Sequence, residues 1–139
     1  GELGVRLTLG EWMDEDKAAK AAEHWAGDRQ TIATDGNKAA IAWHVRYDYG
    51  SEADAGRWAA LAVRAIFPVL VSKLGKPATQ TKDFICFERA DRGPLAIETK
   101  YREVVWILGP TSTDPSGAWK SAGDCKLAKK WADEVISQK

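Results

Sequence analysis

The sequence lacks any excess of charge. Its 139 residues contain 20 Lys and Arg against 20 Asp and Glu, so the formal net charge at neutral pH is zero. Binding to nucleic-acid phosphates depends on a cationic excess, as does attraction to an anionic membrane surface. We therefore expect no nucleic-acid partner. No apolar run reaches the roughly 18 residues that a membrane span needs, so we expect no membrane span either.

Recognisable catalytic motifs are also missing from the sequence. It has no glycine-rich phosphate loop, no Gly-x-Ser-x-Gly nucleophile elbow and no His-Glu-x-x-His zinc motif. Two His in the whole chain supply few candidates for general-base or metal chemistry. We predict no catalytic residue, no metal and no cofactor, and an enzyme is the less favoured class of protein.

Cysteine is scarce, with Cys86 and Cys125 as the two examples. Their spacing matches neither a zinc nor a redox motif. An even count allows one disulfide between them, and the alternative is two buried thiols that pack as small apolar residues. Because Cys86 lies in the apolar run Phe-Ile-Cys-Phe, which disfavours a reactive thiolate, we do not expect it to be a nucleophile.

The composition that is present describes an ordinary globular chain. Apolar residues make up 45% and charged residues 29%, and a chain of this length can bury a core without help from a metal. We predict one domain over residues 1–139. The chain opens at Gly1 rather than at Met, and a strand is predicted directly after it. These features favour a segment excised from, or processed out of, a longer chain.

Hydrophobic periodicity predicts nine elements. The predicted strands cover residues 3–9, 29–34, 38–47, 84–88, 95–99 and 103–108, and the predicted helices begin at Asp14, Ser51 and Asp124. The first helix should run to residue 26 and stop at Gly27. In the second helix, Pro68 removes a backbone donor and should kink or end it, with Gly75 as the outer limit.

The order of these elements, β-α-β-β-α-β-β-β-α, predicts the fold class. The sequence Asp35-Gly36-Asn37 is typical of a hairpin turn, and strands joined by tight turns are antiparallel. Gly109-Pro110 should end the sheet. We therefore predict an α+β fold, with a mostly antiparallel sheet and helices packed on one of its faces.

Both His precede an Asp by four residues, as His24 with Asp28 and as His44 with Asp48. If the two segments were adjacent, two imidazoles and two carboxylates would make a set that can hold a metal ion. The favoured interpretation is structural. His24 would lie near a helix C-terminus, where a cation is stabilised, and Asp48 would help to cap the next helix.

The densest polar and aromatic cluster runs from His24 to Arg29. An Asp28–Arg29 pair beside Trp25 could bind a polar ligand, and residues 46–49 form a second cluster of charged and aromatic side chains. The favoured interpretation is again structural, since an ion pair after a helix can fix the start of the next strand. The candidate binding residues are His24, Asp28, Arg29, Trp43, His44 and Asp48.

An ordered series of short motifs resembles a known group of proteins. The motifs are Leu-Gly-Glu-Trp at 9–12, Trp-Ala-Gly-Asp-Arg at 25–29, Ala-Trp at 42–43, Tyr-Asp at 47–48, Ser-Glu-Ala-Asp-Ala at 51–55, Arg-Glu-Val-Val at 102–105 and Leu-Gly at 108–109. Over residues 3–110 the series resembles the C-terminal region of large, uncharacterised bacterial and archaeal proteins. Some of these carry a predicted secreted metallopeptidase-like domain in front, and their pattern looks like Gly-Trp-x-Gly-Asp-Arg.

The resemblance implies a role beside another domain or protein, and it carries no catalytic activity over to these residues. His24 stands where that group often has Gly, Tyr49 stands where Thr is expected, and the zinc-binding helix of the neighbouring domain is missing. The matching positions are Asp28, Arg29, Trp43 and Asp48. What the resemblance implies is an appended domain that packs against or positions another domain or protein, in an extracytoplasmic setting.

The sequence therefore supports three functional hypotheses. The leading hypothesis is a non-enzymatic accessory or interaction domain. The second is a small-molecule-binding domain with an apolar pocket between sheet and helices, lined by Trp43, Trp58 and Trp106. The third is a cryptic metal-dependent hydrolase built on His24, His44 and nearby carboxylates.

Overall fold

The computed structural model describes residues 2–11, 13–48 and 52–138. The elements in chain order are α1 (Glu2–Gly10), α2 (Glu15–Ala22), β1 (Trp25–Asp35), β2 (Lys38–Tyr47), α3 (Glu52–Leu74), β3 (Thr79–Gln80), β4 (Phe84–Phe87), β5 (Leu95–Lys100), β6 (Glu103–Thr113), β7 (Trp119–Ser121) and α4 (Cys125–Ser137). Within these ranges the strands form one antiparallel sheet in the order β1-β2-β6-β5-β4-β3, and β7 pairs with β6. The predicted α+β fold with a mostly antiparallel sheet is confirmed.

The first predicted strand is wrong, because residues 2–10 form helix α1. Apolar residues at every second position also contain the i, i+4 spacing of a helix face. Val5 and Leu9 use that spacing, and both are buried against the helices that follow. Leu3 and Leu7 take the opposite side of α1 and are exposed. The alternation therefore fitted both elements, and packing against the neighbouring helices favours the helical one.

Helix α2 begins as predicted and ends four residues earlier than predicted. The carboxylate of Asp14 accepts a hydrogen bond from the Lys17 backbone N–H at 3.0 Å, which caps the helix. The last helical residue is Ala22, and His24 takes a positive φ of 66° that turns the chain into β1. Gly27 is not the helix stop; it lies within β1, beside a bulge.

Strands β1 and β2 form a long hairpin around a two-residue turn. Asp35 pairs with Lys38, and Gly36 between them has a φ of 58°. A positive φ at the first turn residue is what a type II′ hairpin turn requires. At the other end of β2, the Tyr47 hydroxyl donates to the Ala21 carbonyl at 2.9 Å, and burial raises the pKa of Tyr47 above its usual range.

Helix α3 continues through Pro68, where the sequence predicted a kink or an end. Proline removes one helical hydrogen bond, but Ile66 and Leu70 on either side of it are fully buried. This packing holds the helix together across the missing bond. Gly75 ends α3 with a φ of 81°, at the predicted outer limit. The predicted cap at Ser51 lies outside the described residues.

The sheet does not end at Gly109-Pro110 as predicted. Strand β6 continues to Thr113, and the short strand β7, which was not predicted, pairs with its extension. The register between β2 and β6 shifts between Ala39 and Ile41, opposite this dipeptide. A bulge of this kind lets a residue without a backbone N–H remain inside a sheet.

Helices cover both faces of the sheet rather than one. On the first face, α1, α2 and α3 enclose the larger core, which includes Trp43, Val45, Leu95, Ile97, Val104 and Trp106. On the second face, α4 packs against Phe84, Cys86, Ala96, Val105 and Ile107. The prediction of a single covered face failed because consecutive residues are buried along β5 and β6, so side chains on both faces of these strands are covered.

Two contacts fix the start of α4 to the sheet, and one further hydrogen bond caps the helix. The Sγ atoms of Cys86 in β4 and Cys125 are joined in a disulfide, with the two Cα atoms 5.8 Å apart. The Cys125 N–H donates to the Glu88 carboxylate at 2.9 Å. As predicted, Asp124 caps the helix, accepting from the Leu127 N–H at 2.8 Å. None of the described helices is long and apolar enough to cross a membrane.

Candidate functional site

Asp28 is the anchor for two indoles on the first face of the sheet. Its carboxylate accepts a hydrogen bond from Trp25 Nε1 at 3.0 Å and another from Trp43 Nε1 at 3.1 Å. The Trp43 side chain is buried in the larger core, where an indole N–H needs an acceptor. The geometry therefore gives Asp28 a packing role at the base of the β1–β2 hairpin.

Arg29 and His44 lie on the second face, directly across from each other on β1 and β2. Adjacent strand residues point to opposite faces, so the side chains of Arg29 and Asp28 leave β1 on opposite sides of the sheet. His44 Nε2 is 3.7 Å from the Glu103 carboxylate. That nitrogen is buried and has no hydrogen-bond partner within the described part of the chain.

His24 and Asp48 meet at the end of the hairpin. The Asp48 N–H donates to the His24 carbonyl at 3.0 Å, and the Asp48 carboxylate lies 3.4 Å from an Arg102 guanidinium nitrogen. The His24 ring packs on Trp58 of α3, with the ring centroids 4.2 Å apart. A capping role for Asp48 on α3 involves residues 49–51, which lie outside the described residues.

Five of the six candidate residues divide between the two faces of the sheet, and Asp48 lies at the end of the hairpin. His24, Asp28 and Trp43 contact the side that carries α3, while Arg29 and His44 face α4. The metal set suggested by the two His-Asp spacings is not assembled. Over residues 2–11, 13–48 and 52–138, no group of three or more His, Cys, Asp or Glu side chains is placed to hold a metal ion.

The interior around the tryptophans is filled. Trp43 and Trp106 pack 6.1 Å apart between ring centroids, and the space that they line with α1 and α3 measures only about 10 Å³. A cavity of that size holds at most about one water molecule. Trp58 contributes to the His24 contact instead of lining this space. These three tryptophans do not form the predicted ligand pocket.

Two adjoining openings lie on the second face, between the β1–β2 hairpin and α4. An apolar groove of about 220 Å³ is lined by Ala42, Ile107, Trp131 and Val135, with Arg29 and His44 at its rim. It shares Arg29, His44 and Gln138 with a wider cleft of about 860 Å³. That cleft is lined by the cations Arg29, Arg46, Lys100 and Arg102 and by the acids Asp28 and Glu103.

Most of the residues around this cleft were missed by the sequence reasoning. Arg29 and His44 were chosen and Arg46 was noted within the cluster 46–49, but Lys100 and Trp131 were not. The alternation of His44 and Arg46 along β2 was an available signal that both face one side. The contributions of Lys100 and Trp131 depend on which strands and helices become neighbours, and a single sequence does not show that.

β1 also presents an open edge. It is the first strand in the sheet order, and no strand within the described ranges pairs with its outer side. Its residues 28–35 are all exposed. Ile32 is 68% exposed, and Ile41, its partner on β2, is 37% exposed. Residues 28–35 form the longest run of exposed residues within any described strand.

The fold and the sites define an α+β protein with a disulfide-fixed C-terminal helix, a lateral cleft and an open strand edge. The chain belongs to the family described as "Domain of unknown function (DUF8575)", whose sequence profile matches residues 1–119. No curated protein and no solved structure matches the chain.

Proposed function

We propose that the chain is a non-enzymatic interaction domain that binds a partner by adding an extended strand to the outer edge of β1. The observation that carries the proposal is the unpaired edge of this eleven-residue strand, whose residues 28–35 are exposed. Main-chain hydrogen bonds along such an edge supply affinity, and side-chain pockets beside it supply specificity. The groove against α4 is such a pocket.

The hairpin turn determines which backbone groups are available. In a two-residue hairpin the residues that flank the turn, Asp35 and Lys38, form a hydrogen-bonded pair. Odd-numbered residues from Arg29 to Asp35 therefore direct their N–H and C=O groups toward β2. Even-numbered residues, with Ile32 at the centre, direct theirs outward, where a partner strand can use them.

The edge lacks the usual protection against pairing. Natural edge strands are blocked by Pro, by Lys, by bulges or by a covering loop. Residues 30–34 read Gln-Thr-Ile-Ala-Thr and contain neither charge nor Pro, and the one bulge in the hairpin lies at its far end, between Trp25 and Gly27. An unprotected edge of this length supports a role in binding.

Two further features support an accessory role in an oxidising setting. The motifs at residues 25–29, 42–43 and 47–48 resemble those of an appended domain. The disulfide between Cys86 and Cys125 supports an extracytoplasmic location, because disulfides form and persist in oxidising compartments.

The proposal is tested by selecting displayed random ten-residue segments against the immobilised chain and mapping those selected by amide chemical shifts. We expect the largest shifts at the outward residues Gln30, Ile32 and Thr34. Ile32→Pro removes an outward donor and should abolish binding, while the conservative variant Ile32→Val should retain it. Segments that map only to the α4 groove and bind Ile32→Pro normally would contradict the proposal.

A second candidate function is binding of a small amphipathic anion. The apolar groove ends at Arg29, where it joins the cleft that also holds Arg46, Lys100 and Arg102. An aromatic or aliphatic carboxylate could place its body against Trp131 and its charge near Arg29. Titration with benzoate and hexanoate should shift the Trp131 indole resonance, and Arg29→Gln should weaken the effect. Equal shifts in both proteins would exclude this role for Arg29.

A further inference from the structure

We infer that the strand that pairs with the edge of β1 is β1 of a second copy of this chain, antiparallel about a two-fold axis through Ile32. The inference rests on the proposed function, because it names the partner of the same edge. The two copies would then share one continuous antiparallel sheet. Three independent properties of residues 29–35 support this partner and this register.

The first property is the direction of the backbone groups. Ile32 is the middle residue of the segment, and its N–H and C=O point outward because its odd-numbered neighbours bond to β2. Two-fold pairing about Ile32 therefore places it in a hydrogen-bonded pair with the partner's Ile32. On either side, Gln30 bonds to the partner's Thr34, so every outward group from residue 30 to 34 is satisfied.

The second property is charge complementarity on the α4 face. The same register sets Arg29 opposite the partner's Asp35, and the symmetry repeats this pair at the other end of the junction. These are non-hydrogen-bonded positions, where the Cα atoms are about 4.5 Å apart and side chains are closest. Both side chains are exposed in the single chain. Such a symmetric interface is self-complementary, as a two-fold contact must be.

The third property is the exposed apolar pair on the opposite face. Ile32 lies across from Ile41 within the hairpin, and both are exposed. Pairing about Ile32 brings the two copies of this pair together as one row of isoleucines that crosses the junction. Contacts between β-branched cross-strand neighbours stabilise sheets. Ile32, the most exposed large apolar residue of the hairpin, thereby becomes covered.

Alternative registers lose these features. Centring the axis on Gln30 would put the Asp28 carboxylate opposite the partner's Ile32 and Arg29 opposite the partner's Thr31. Centring it on Thr34 would run the strand past the Gly36 turn and leave Arg29 without an opposing strand residue. Because only the register about Ile32 pairs both charges and both apolar residues, it is the register that the test must detect.

The experiment compares association of the intact chain and two charge-reversal variants by sedimentation equilibrium from about 1 µM to about 1 mM. Arg29→Glu alone places like charges opposite each other twice, as does Asp35→Lys alone. Each should weaken self-association by about tenfold or more. Mixed in equal amounts, the two variants form a heterodimer in which both pairs are complementary again, so association should return close to that of the unmodified chain. Arg92→Glu, an exposed reversal away from β1, is the matched control and should change nothing.

Oxidative trapping supplies a measurement that does not depend on the charge variants. Hydrogen-bonded pairs have Cα atoms about 5.5 Å apart, within the range of a disulfide. Ile32→Cys should therefore yield covalent dimers rapidly, and Thr34→Cys, which faces the partner's Gln30, should not. Equal trapping at both positions, or mixing that fails to restore association, would overturn the register.

An unmodified chain that stays monomeric up to about 1 mM would overturn the second copy as partner. The edge function would still stand if selected segments continued to bind in an Ile32-dependent way. If neither association nor segment binding responds to Ile32→Pro, both the inference and the proposed function fail together.

Discussion

Asp28 lies on an exposed strand, yet its carboxylate serves the interior by holding the indoles of Trp25 and Trp43. A sequence pattern in which Asp follows Trp and precedes Arg is equally typical of a ligand site and of this kind of anchor. In a ligand site the carboxylate is left to accept hydrogen bonds from the ligand, whereas in an anchor it accepts them from indole N–H groups of the same chain. For Asp28 both donors come from within the fold.

Replacing Asp28 should therefore change stability. Asp28→Ala leaves the buried Trp43 N–H without its acceptor, and we expect the free energy of unfolding to fall by about 1–3 kcal/mol. Asp28→Asn should lose less, since the amide oxygen can still accept from one indole. Urea denaturation measures both. Asp91→Ala, an exposed carboxylate in a turn, should stay within about 0.5 kcal/mol of the unmodified protein, and an equally small effect of Asp28→Ala would refute the anchor.

Glu98 is a second residue whose environment determines its chemistry. It is 7% exposed, and Lys129 Nζ lies 3.3 Å from one carboxylate oxygen and 2.5 Å from Asp133. Burial raises the pKa of Glu98, although Lys129 opposes the shift. The hydrogen bond from Lys129 lowers the pKa of Asp133, so the lysine mainly stabilises the charged form of this exposed carboxylate.

The raised pKa of Glu98 predicts a pH dependence. The folded chain holds the Glu98 proton more tightly than the unfolded chain, so the free energy of unfolding should fall as the pH rises from the ordinary glutamate range through the raised pKa. Glu98→Gln should flatten this decline in the range that begins at the ordinary glutamate pKa and extends upward. Urea titrations of the two proteins across that range check it, and parallel curves would show that another group is responsible.

At the residue level, the candidate site was predicted in part. The pairing of Arg29 with His44 could have been predicted, because it follows from the Asp35-Gly36-Asn37 turn once both strands are assigned. Their separation from Asp28 also follows from strand alternation. The position of α4 over this face does not, since the helix comes from the other end of the chain.

At the level of elements, local signals were reliable where they involve capping and tight turns. Asp14 and Asp124 cap helices as predicted, and the β1–β2 hairpin turns where expected. The signals failed where tertiary packing decides the outcome. Residues 2–10 fit either a strand or a helix, and Gly109-Pro110 is retained in β6 because these two residues form a bulge opposite Ala40 of β2.

Pro68 is an element-level feature with a measurable consequence. It leaves a carbonyl of α3 without its helical donor, while buried neighbours keep the helix intact. Pro68→Ala restores the donor, and we expect the free energy of unfolding to rise by about 1–2 kcal/mol. Pro77→Ala, outside the helix, should give no gain and controls for the greater freedom of the unfolded chain. Thermal and urea denaturation provide the readout; a loss of stability in Pro68→Ala would indicate that the proline ring itself is needed for packing.

On the scale of the whole molecule, the two cores depend on different constraints. The larger core is enclosed by three helices, while the smaller one is covered by α4 alone. The bond between Cys86 and Cys125 spans 39 residues of chain and restricts the unfolded state. The disulfide therefore stabilises the smaller core mainly by lowering the conformational entropy of the unfolded chain.

Removing this constraint should destabilise the molecule as a whole. For a loop of 39 residues, the chain-entropy relation gives a loss of about 4 kcal/mol for the paired variant Cys86→Ala/Cys125→Ala. Guanidinium denaturation with and without a reductant measures the effect. The reductant should lower the stability of the unmodified chain and leave the variant unchanged, and insensitivity of both proteins would mean that the cysteines are not bonded in solution.

The disulfide also bears on where this domain can be cut for study. The family profile ends at residue 119, but the helix that covers Ala96, Val105 and Ile107 begins at Cys125. A recombinant fragment that stopped at the profile boundary would expose that apolar face and keep Cys86 as an unpaired thiol. Such a fragment would be expected to aggregate, so expression designs for this chain should extend through residue 137.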